Sequence, residues 1–248
     1  MAVRLLLKIA YNGSGYCGWQ VQKNGKSVQG ELCRAAEEAY SCKISVTGCS
    51  RTDSGVHATE YYCTLDIPEN APRIPTERVP SALNVRLDES VTVYEATEVS
   101  EDFHARYSVK KKTYEYVIDN GYYRDPFLFK RAWHIKTPLD EKKMNEAARA
   151  FVGRYDFSAF MASGSEIEDA TRTVFDAEVE RVGSKVLFRV TADGFLYNMV
   201  RIMMGTLADV SCGRISVSDV HEIIKSRDRK NAGATAPADG LYLKHVEY

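Results

Sequence analysis

Asp53 has the clearest capacity for chemistry in this chain. It lies in the run Thr47-Gly48-Cys49-Ser50-Arg51-Thr52-Asp53-Ser54-Gly55-Val56-His57-Ala58, two residues after an arginine and two before a glycine. A carboxylate in a turn of small residues can be presented to a ligand with little bulk around it, and a neighbouring cation such as Arg51 favours its ionised form. The same pattern also fits an ordinary solvated turn, because Asp bonds its own downstream backbone and Gly supplies a positive φ. Local chemistry leaves both readings open.

Tyr114 and Tyr116 alternate in Lys112-Thr113-Tyr114-Glu115-Tyr116-Val117-Ile118. They read as aromatics of one strand, at least one of them in the core. Arg201 follows Phe195-Leu196-Tyr197-Asn198-Met199-Val200 and falls off the helical stripe of Met199, Val200, Met203, Leu207 and Val210. By pattern alone it is a solvated flank. Basic residues cluster at Lys110-Lys111-Lys112, Lys130-Arg131, Lys142-Lys143 and from Lys225 through Lys230. Together such clusters can track phosphates, which gives position and salt-dependent affinity without sequence information.

The elements that must position these side chains alternate strand and helix. Val3–Tyr11 reads as an apolar strand. Ser27 can cap a helix with Val28, Leu32, Ala35, Ala36 and Ala39 on its apolar face. Lys43–Val46 and Tyr61–Ile67 are expected as strands on either side of the Asp53 loop, followed by a short helix through Val79 and Leu83 and a strand over Val91–Val99. After Lys112–Ile118 come a helix over Leu139–Phe151, strands over Thr173–Arg181 and Val186–Ala192, the helix of Arg201, a short helix capped by Ser218 and a last strand, Leu241–Val246. Interleaved helices and hairpins indicate α+β rather than a doubly wound sheet. The best boundary lies in Ser100–Ser108, so we divide the chain into residues 1–104, carrying Asp53, and 105–248, carrying Tyr114 and Arg201.

Composition bounds the class. The 248 residues are 44% apolar and 27% charged with a net charge of −1, as in ordinary globular proteins large enough for one or two domains. The six cysteines form no Cys-x-x-Cys pair and read as reduced, mostly buried small hydrophobes. No dinucleotide fingerprint or P-loop is present. Lys8 interrupts the apolar start of Met1 to Tyr11, and no run approaches the roughly 20 apolar residues of a membrane helix. A cytoplasmic protein is expected.

The Asp53 run resembles, nearly residue for residue, the catalytic loop of the TruA family of tRNA pseudouridine synthases. Four further stretches are similar to that family in the right order: Ala10-Tyr11-Asn12-Gly13 with Gly18-Trp19-Gln20; Asp102 to Ser108 with Lys112 to Tyr116; Phe195 to Arg201; and Ala234 to Leu243. Ser54 stands where many members have Ala, a change between small residues. The resemblance implies two ferredoxin-like α/β halves with antiparallel sheets joined across a central catalytic cleft, and a homodimer that binds tRNA. It implies isomerisation of uridine to pseudouridine at positions 38 to 40 of the anticodon arm, with no metal or organic cofactor. By resemblance Asp53 is the catalytic carboxylate, Tyr114 stacks on the target base, and Arg201 holds Asp53 ionised and oriented. Arg51 would fill the place of the flipped base or hold a phosphate, with Lys110, Lys111 and Lys112 as further substrate contacts. His57 and His104 read as structural. A catalytically idle tRNA-binding or tRNA-folding protein of the same fold is the alternative from another class, and a carboxylate nucleoside hydrolase is a third.

Overall fold

The structure, a computed structural model, describes residues 3–23, 25–164 and 167–248. The chain forms two compact units. They divide after Lys110 rather than after residue 104, and Leu243–Tyr248 return to the first unit.

In the first unit β1 (Val3–Tyr11) leads through a 3-10 turn to α1 (Val28–Tyr40), then β2 (Ser45–Gly48), β3 (His57–Ile67), α2 (Val79–Asn84) and β4 (Val91–Val99). Strand β1 alternates half-buried and buried residues, so Leu5, Leu7, Ile9 and Tyr11 form one inward face. It pairs antiparallel with β3, Val3 opposite Ile67, and with β4, Arg4 opposite Val99. Strand β2 pairs antiparallel with β3, which places the Asp53 loop between Gly48 and His57. As expected, Ser27 caps α1 by accepting from the Gly30 N–H at 3.2 Å. The helix lays Leu32, Ala35 and Ala36 on the core. The last strand of the chain, β10 (Leu241–Glu247), joins this sheet beside β3. Glu60 on β3 accepts from the Val246 N–H at 3.2 Å and meets Lys8 Nζ at 3.1 Å and His245 Nδ1 at 2.6 Å. These contacts are why the C-terminal residues belong to the first unit.

The second unit runs β5 (Lys111–Asp119), the two-residue β6 (Trp133–His134), α3 (Glu141–Ala148), β7 (Gly153–Asp156), β8 (Thr171–Val182), β9 (Lys185–Ala192), α4 (Met199–Ser211) and α5 (Asp219–Ser226). Its sheet order is β5-β9-β8-β7, antiparallel throughout, with β6 parallel on β5. Val186, Phe188, Val190 and Ala192 alternate inward along β9, and the Phe188 ring meets Phe151, which in turn meets Phe160 edge to face. The chain is therefore α+β with mostly antiparallel sheets. No helix among the described residues is long and apolar enough to cross a membrane.

Three expectations need correction. Ser218 stands before α5 but makes no side-chain cap bond. Ser216 does that work, its Oγ accepting from Asp219 N–H at 3.3 Å while Asp219 Oδ2 accepts from Ser216 N–H at 3.0 Å. Helix α4 has no simple stripe, because every residue from Met199 to Ala208 except Arg201 is buried. None of the six cysteines is in a disulfide, but only Cys49 and Cys63 are buried, and Cys212 is exposed.

Candidate active site

The Asp53 loop is held by the end of β1 and the residues that follow it. Thr52 is gripped twice: its carbonyl accepts from Trp19 N–H at 3.1 Å, and its Oγ1 lies 2.8 Å from Tyr11 Oη. Asp53 C=O accepts from Val56 N–H at 3.1 Å and closes a β-turn, with Gly55 at φ +84°. Tyr16 C=O receives the Ser54 hydroxyl at 3.2 Å and the Gly55 N–H at 3.4 Å. Tyr61 donates its hydroxyl to Ser50 C=O. Its ring stacks on Trp19 at 4.2 Å and meets the edge of Tyr11 at 5.5 Å.

Two glycines make this approach possible. Gly18 has φ +104°, and a Cβ on it would stand 2.5 Å from Thr52 O. A Cβ on Gly13 would overlap the Val56 carbonyl. Gly13 N–H donates to His57 Nδ1 at 3.0 Å, so this buried imidazole accepts a backbone bond at the foot of the loop. Within this frame Asp53 is half-buried and Arg51 exposed. The backbone around the carboxylate is therefore fixed by neighbours on every side of the turn, which suits a group that must hold one position.

In the second unit Tyr114 and Tyr116 share a face of β5, and both are buried. Tyr114 packs edge-on against Phe195, with centroids 4.9 Å apart. Tyr116 donates its hydroxyl to Pro237 C=O at 2.6 Å; burial pushes that hydroxyl well above its ordinary pKa, against the pull of Arg201. Helix α4 packs on β5. Arg201, half-buried, donates from Nε to Ala236 C=O at 2.8 Å and from Nη1 to Asn198 Oδ1 at 2.6 Å. Ala236 N–H returns a bond to Arg201 C=O at 3.1 Å. The 234–240 segment is thus tied to Arg201 on one side and to Tyr116 on the other. The solvated-flank reading of Arg201 does not describe this environment.

The three adjacent lysines separate in role. Lys110 is exposed and donates to Tyr248 C=O at 2.8 Å, Lys111 lies over the Phe175 ring at 5.1 Å, and Lys112 is half-buried opposite Ala192. Sequence reasoning did not single out Tyr11, Thr52 or Tyr61 as the frame of the loop, nor Asn198 and Ala236 as partners of Arg201. The quoted motifs contain all of these except Tyr61, which is the signal that could have found them.

A model of the family described as tRNA pseudouridine synthase matches residues 8–108 and 147–248. This chain belongs to the tRNA pseudouridine synthase family. The stretch between the two matched parts, which holds Tyr114 and the three lysines, is covered by full-length relatives. A tRNA pseudouridine synthase A of Thermoanaerobacter sp. (strain X514) is 42% identical over 244 residues, 98% of this chain and 99% of its own length. One of Acetivibrio thermocellus is 44% identical over 242 residues, 98% of each chain. Among solved structures, a chain titled "Crystal Structure of a Cbf5-Nop10-Gar1 Complex" aligns with a TM-score of 0.36 at 12% identity, over 96% of this chain and 57% of its own, too low a score to bear on the fold.

Proposed function

We propose that this tRNA pseudouridine synthase isomerises uridine to pseudouridine at positions 38 to 40 of the anticodon arm, with Asp53 as the reacting carboxylate. The observation that carries the assignment of Asp53 is its loop: a turn of small residues locked through Thr52, Gly55 and His57 while the acidic side chain stays partly accessible. As a member of this family the chain is an enzyme, an isomerase.

The reaction breaks the bond from C1′ to N1, turns the uracil, forms the bond from C1′ to C5, and releases the C5 proton while N1 takes one up. Substrate and product are isomers, so one carboxylate, acting as nucleophile at the sugar or as base, suffices for the protein's part. A uridine in a folded arm must leave its stack first, at a cost of about a few kcal/mol that stacking and edge contacts offset. Tyr114 is the proposed stacking partner, with its ring direction set by Phe195. Arg201 completes the catalytic set, its guanidinium oriented by Asn198 and Ala236. The first unit carries Asp53, and the second carries Tyr114 and Arg201. Arg51 is proposed to fill the place of the flipped base or to hold a phosphate, Lys110, Lys111 and Lys112 are the proposed phosphate contacts, and a cytoplasmic homodimer is the proposed working form.

The test uses tRNA carrying tritium at uridine C5. Wild type should release tritium and Asp53→Asn should not, while binding tRNA with similar affinity. A normal rate in the variant removes Asp53 from the mechanism. A folded wild type that binds tRNA yet releases nothing across a complete tRNA pool supports the idle tRNA-binding reading instead.

A further inference from the structure

The loop between β5 and β6 carries a surface that the reaction does not use. Phe127 and Tyr123 are 84% and 83% exposed, and Tyr122 and Phe129 are 63% and 62% exposed. The Tyr122 and Tyr123 rings meet edge to face at 4.8 Å, and large exposed apolar side chains gathered on one loop mark an interaction site. These aromatics are not on a loose segment. Asp119, itself 2% exposed, accepts from Gly121 N–H at 3.2 Å and from Asp125 N–H at 3.0 Å. Asn120 Nδ2 donates to Ile135 C=O at 2.7 Å, His134 Nε2 lies 3.0 Å from Gly121 O, and Tyr242 donates to Arg131 C=O at 2.7 Å. Both ends of the loop and its middle are fastened while the rings point to solvent.

Cations interleave with the rings. Lys136 Nζ stands 4.1 Å from the Tyr122 centroid and Lys130 Nζ 5.7 Å from that of Phe129. Arg124 and Arg131 lie in the same loop. Its one acid between Tyr122 and Lys136, Asp125, is half-buried and caps the Pro126–Leu128 turn by accepting from Phe127 N–H at 2.9 Å. A recess of about 260 Å³ opens beside Phe129, lined by Arg124, Lys130 and Trp133 together with the acids Asp119 and Asp239.

Resting on the tRNA reading above, we infer that this loop is a second nucleotide-binding surface, on which unpaired bases of the tRNA other than the target uridine stack while its cations hold the flanking phosphates. Aromatic rings set among Lys and Arg are the combination that binds unpaired nucleic acid without reading sequence. A second copy of the chain fits this surface less well, because a two-fold interface built on it would bring the same four cations together from both sides.

The test measures binding of an unmodified full-length tRNA transcript to the full chain by fluorescence anisotropy at several KCl concentrations. It is paired with sedimentation velocity without RNA and tritium release by wild type. Tyr123→Ser with Phe127→Ser should weaken binding by about tenfold or more, as expected for losing stacked bases. Tyr123→Phe with Phe127→Tyr should restore it, since both rings remain. Lys136→Glu should make the salt dependence shallower. An unchanged affinity in the serine variant, with wild type binding and modifying tRNA, overturns the surface alone. A lower sedimentation coefficient in that variant assigns the loop to contact between copies and also overturns it. A wild type that binds no tRNA overturns the tRNA reading and the surface together.

Discussion

Tyr11 Oη lies 2.8 Å from Thr52 Oγ1, and both side chains are buried. This bond joins the end of the first strand to the residue immediately before Asp53, so the position of the carboxylate's backbone is tied to the core. Tyr11→Phe leaves Thr52 Oγ1 buried beside a ring that cannot bond it, at a cost of about 1–2 kcal/mol. Urea unfolding should show that loss, and tritium release should fall through kcat with KM little changed. A stable variant with full kcat would mean that the bond does not position Asp53.

Gly13 is constrained from two directions. Its N–H bonds His57 Nδ1, and any Cβ would collide with the Val56 carbonyl, which belongs to the backbone and has nowhere flexible to go. Gly13→Ala should cost about 3 kcal/mol, the upper range for overpacking, and should lower activity in the fraction that folds. A melting temperature equal to that of wild type would show that the loop can shift aside and that the contact is not specifying.

Glu60 gives the first unit a pH dependence with a definite sign. Burial would raise its carboxyl pKa, but the Val246 N–H, Lys8 and His245 together bring it below its ordinary value of 4.5. A lowered folded-state pKa means that the stabilisation is complete above the unfolded value and disappears as pH falls through the folded one. Glu60→Gln should therefore be less stable than wild type at neutral pH, and the gap should close as pH falls below 4.5. Denaturant titrations of both proteins across that range check it. A gap of constant size would mean that the ionised carboxylate is not what fastens β10.

The sequence made the strands and their alternation legible because period-two burial is written directly into β1 and β9. The Asp53 loop was legible as a motif, but not its support. Tyr11, Trp19 and Tyr61 are distant in sequence, and nothing local says that a strand tyrosine ends beside Thr52. Arg201 was misplaced by pattern because α4 is buried nearly all round, so a stripe analysis had no polar face against which to judge it. The return of the last strand to the first unit is a long-range pairing fixed by Glu60 and Val246, which no window of neighbouring residues reports. Strand β6 escaped notice because a two-residue element has no period to detect.

Asn198 combines a backbone and a side-chain role that can be separated. It sits in the left-handed region at φ 60°, where Asn is tolerated and Gly is at ease, and its Oδ1 accepts from Arg201 Nη1 at 2.6 Å. Asn198→Gly keeps the backbone conformation and removes only the acceptor. Hydrogen bonds to charged groups contribute about 1.5–3 kcal/mol, so kcat should fall about tenfold or more if this bond aims the guanidinium for the reaction. Asn198→Asp retains an oxygen at the same reach and should recover most of the rate. If the glycine and aspartate variants instead lose activity equally while unfolding at the same denaturant concentration as wild type, the Oδ1 contact is not what positions Arg201. The bond from Arg201 Nε to Ala236 C=O would then be the orienting one, and Arg201→Lys, which cannot reproduce that geometry together with the Asn198 contact, should be the more damaging change.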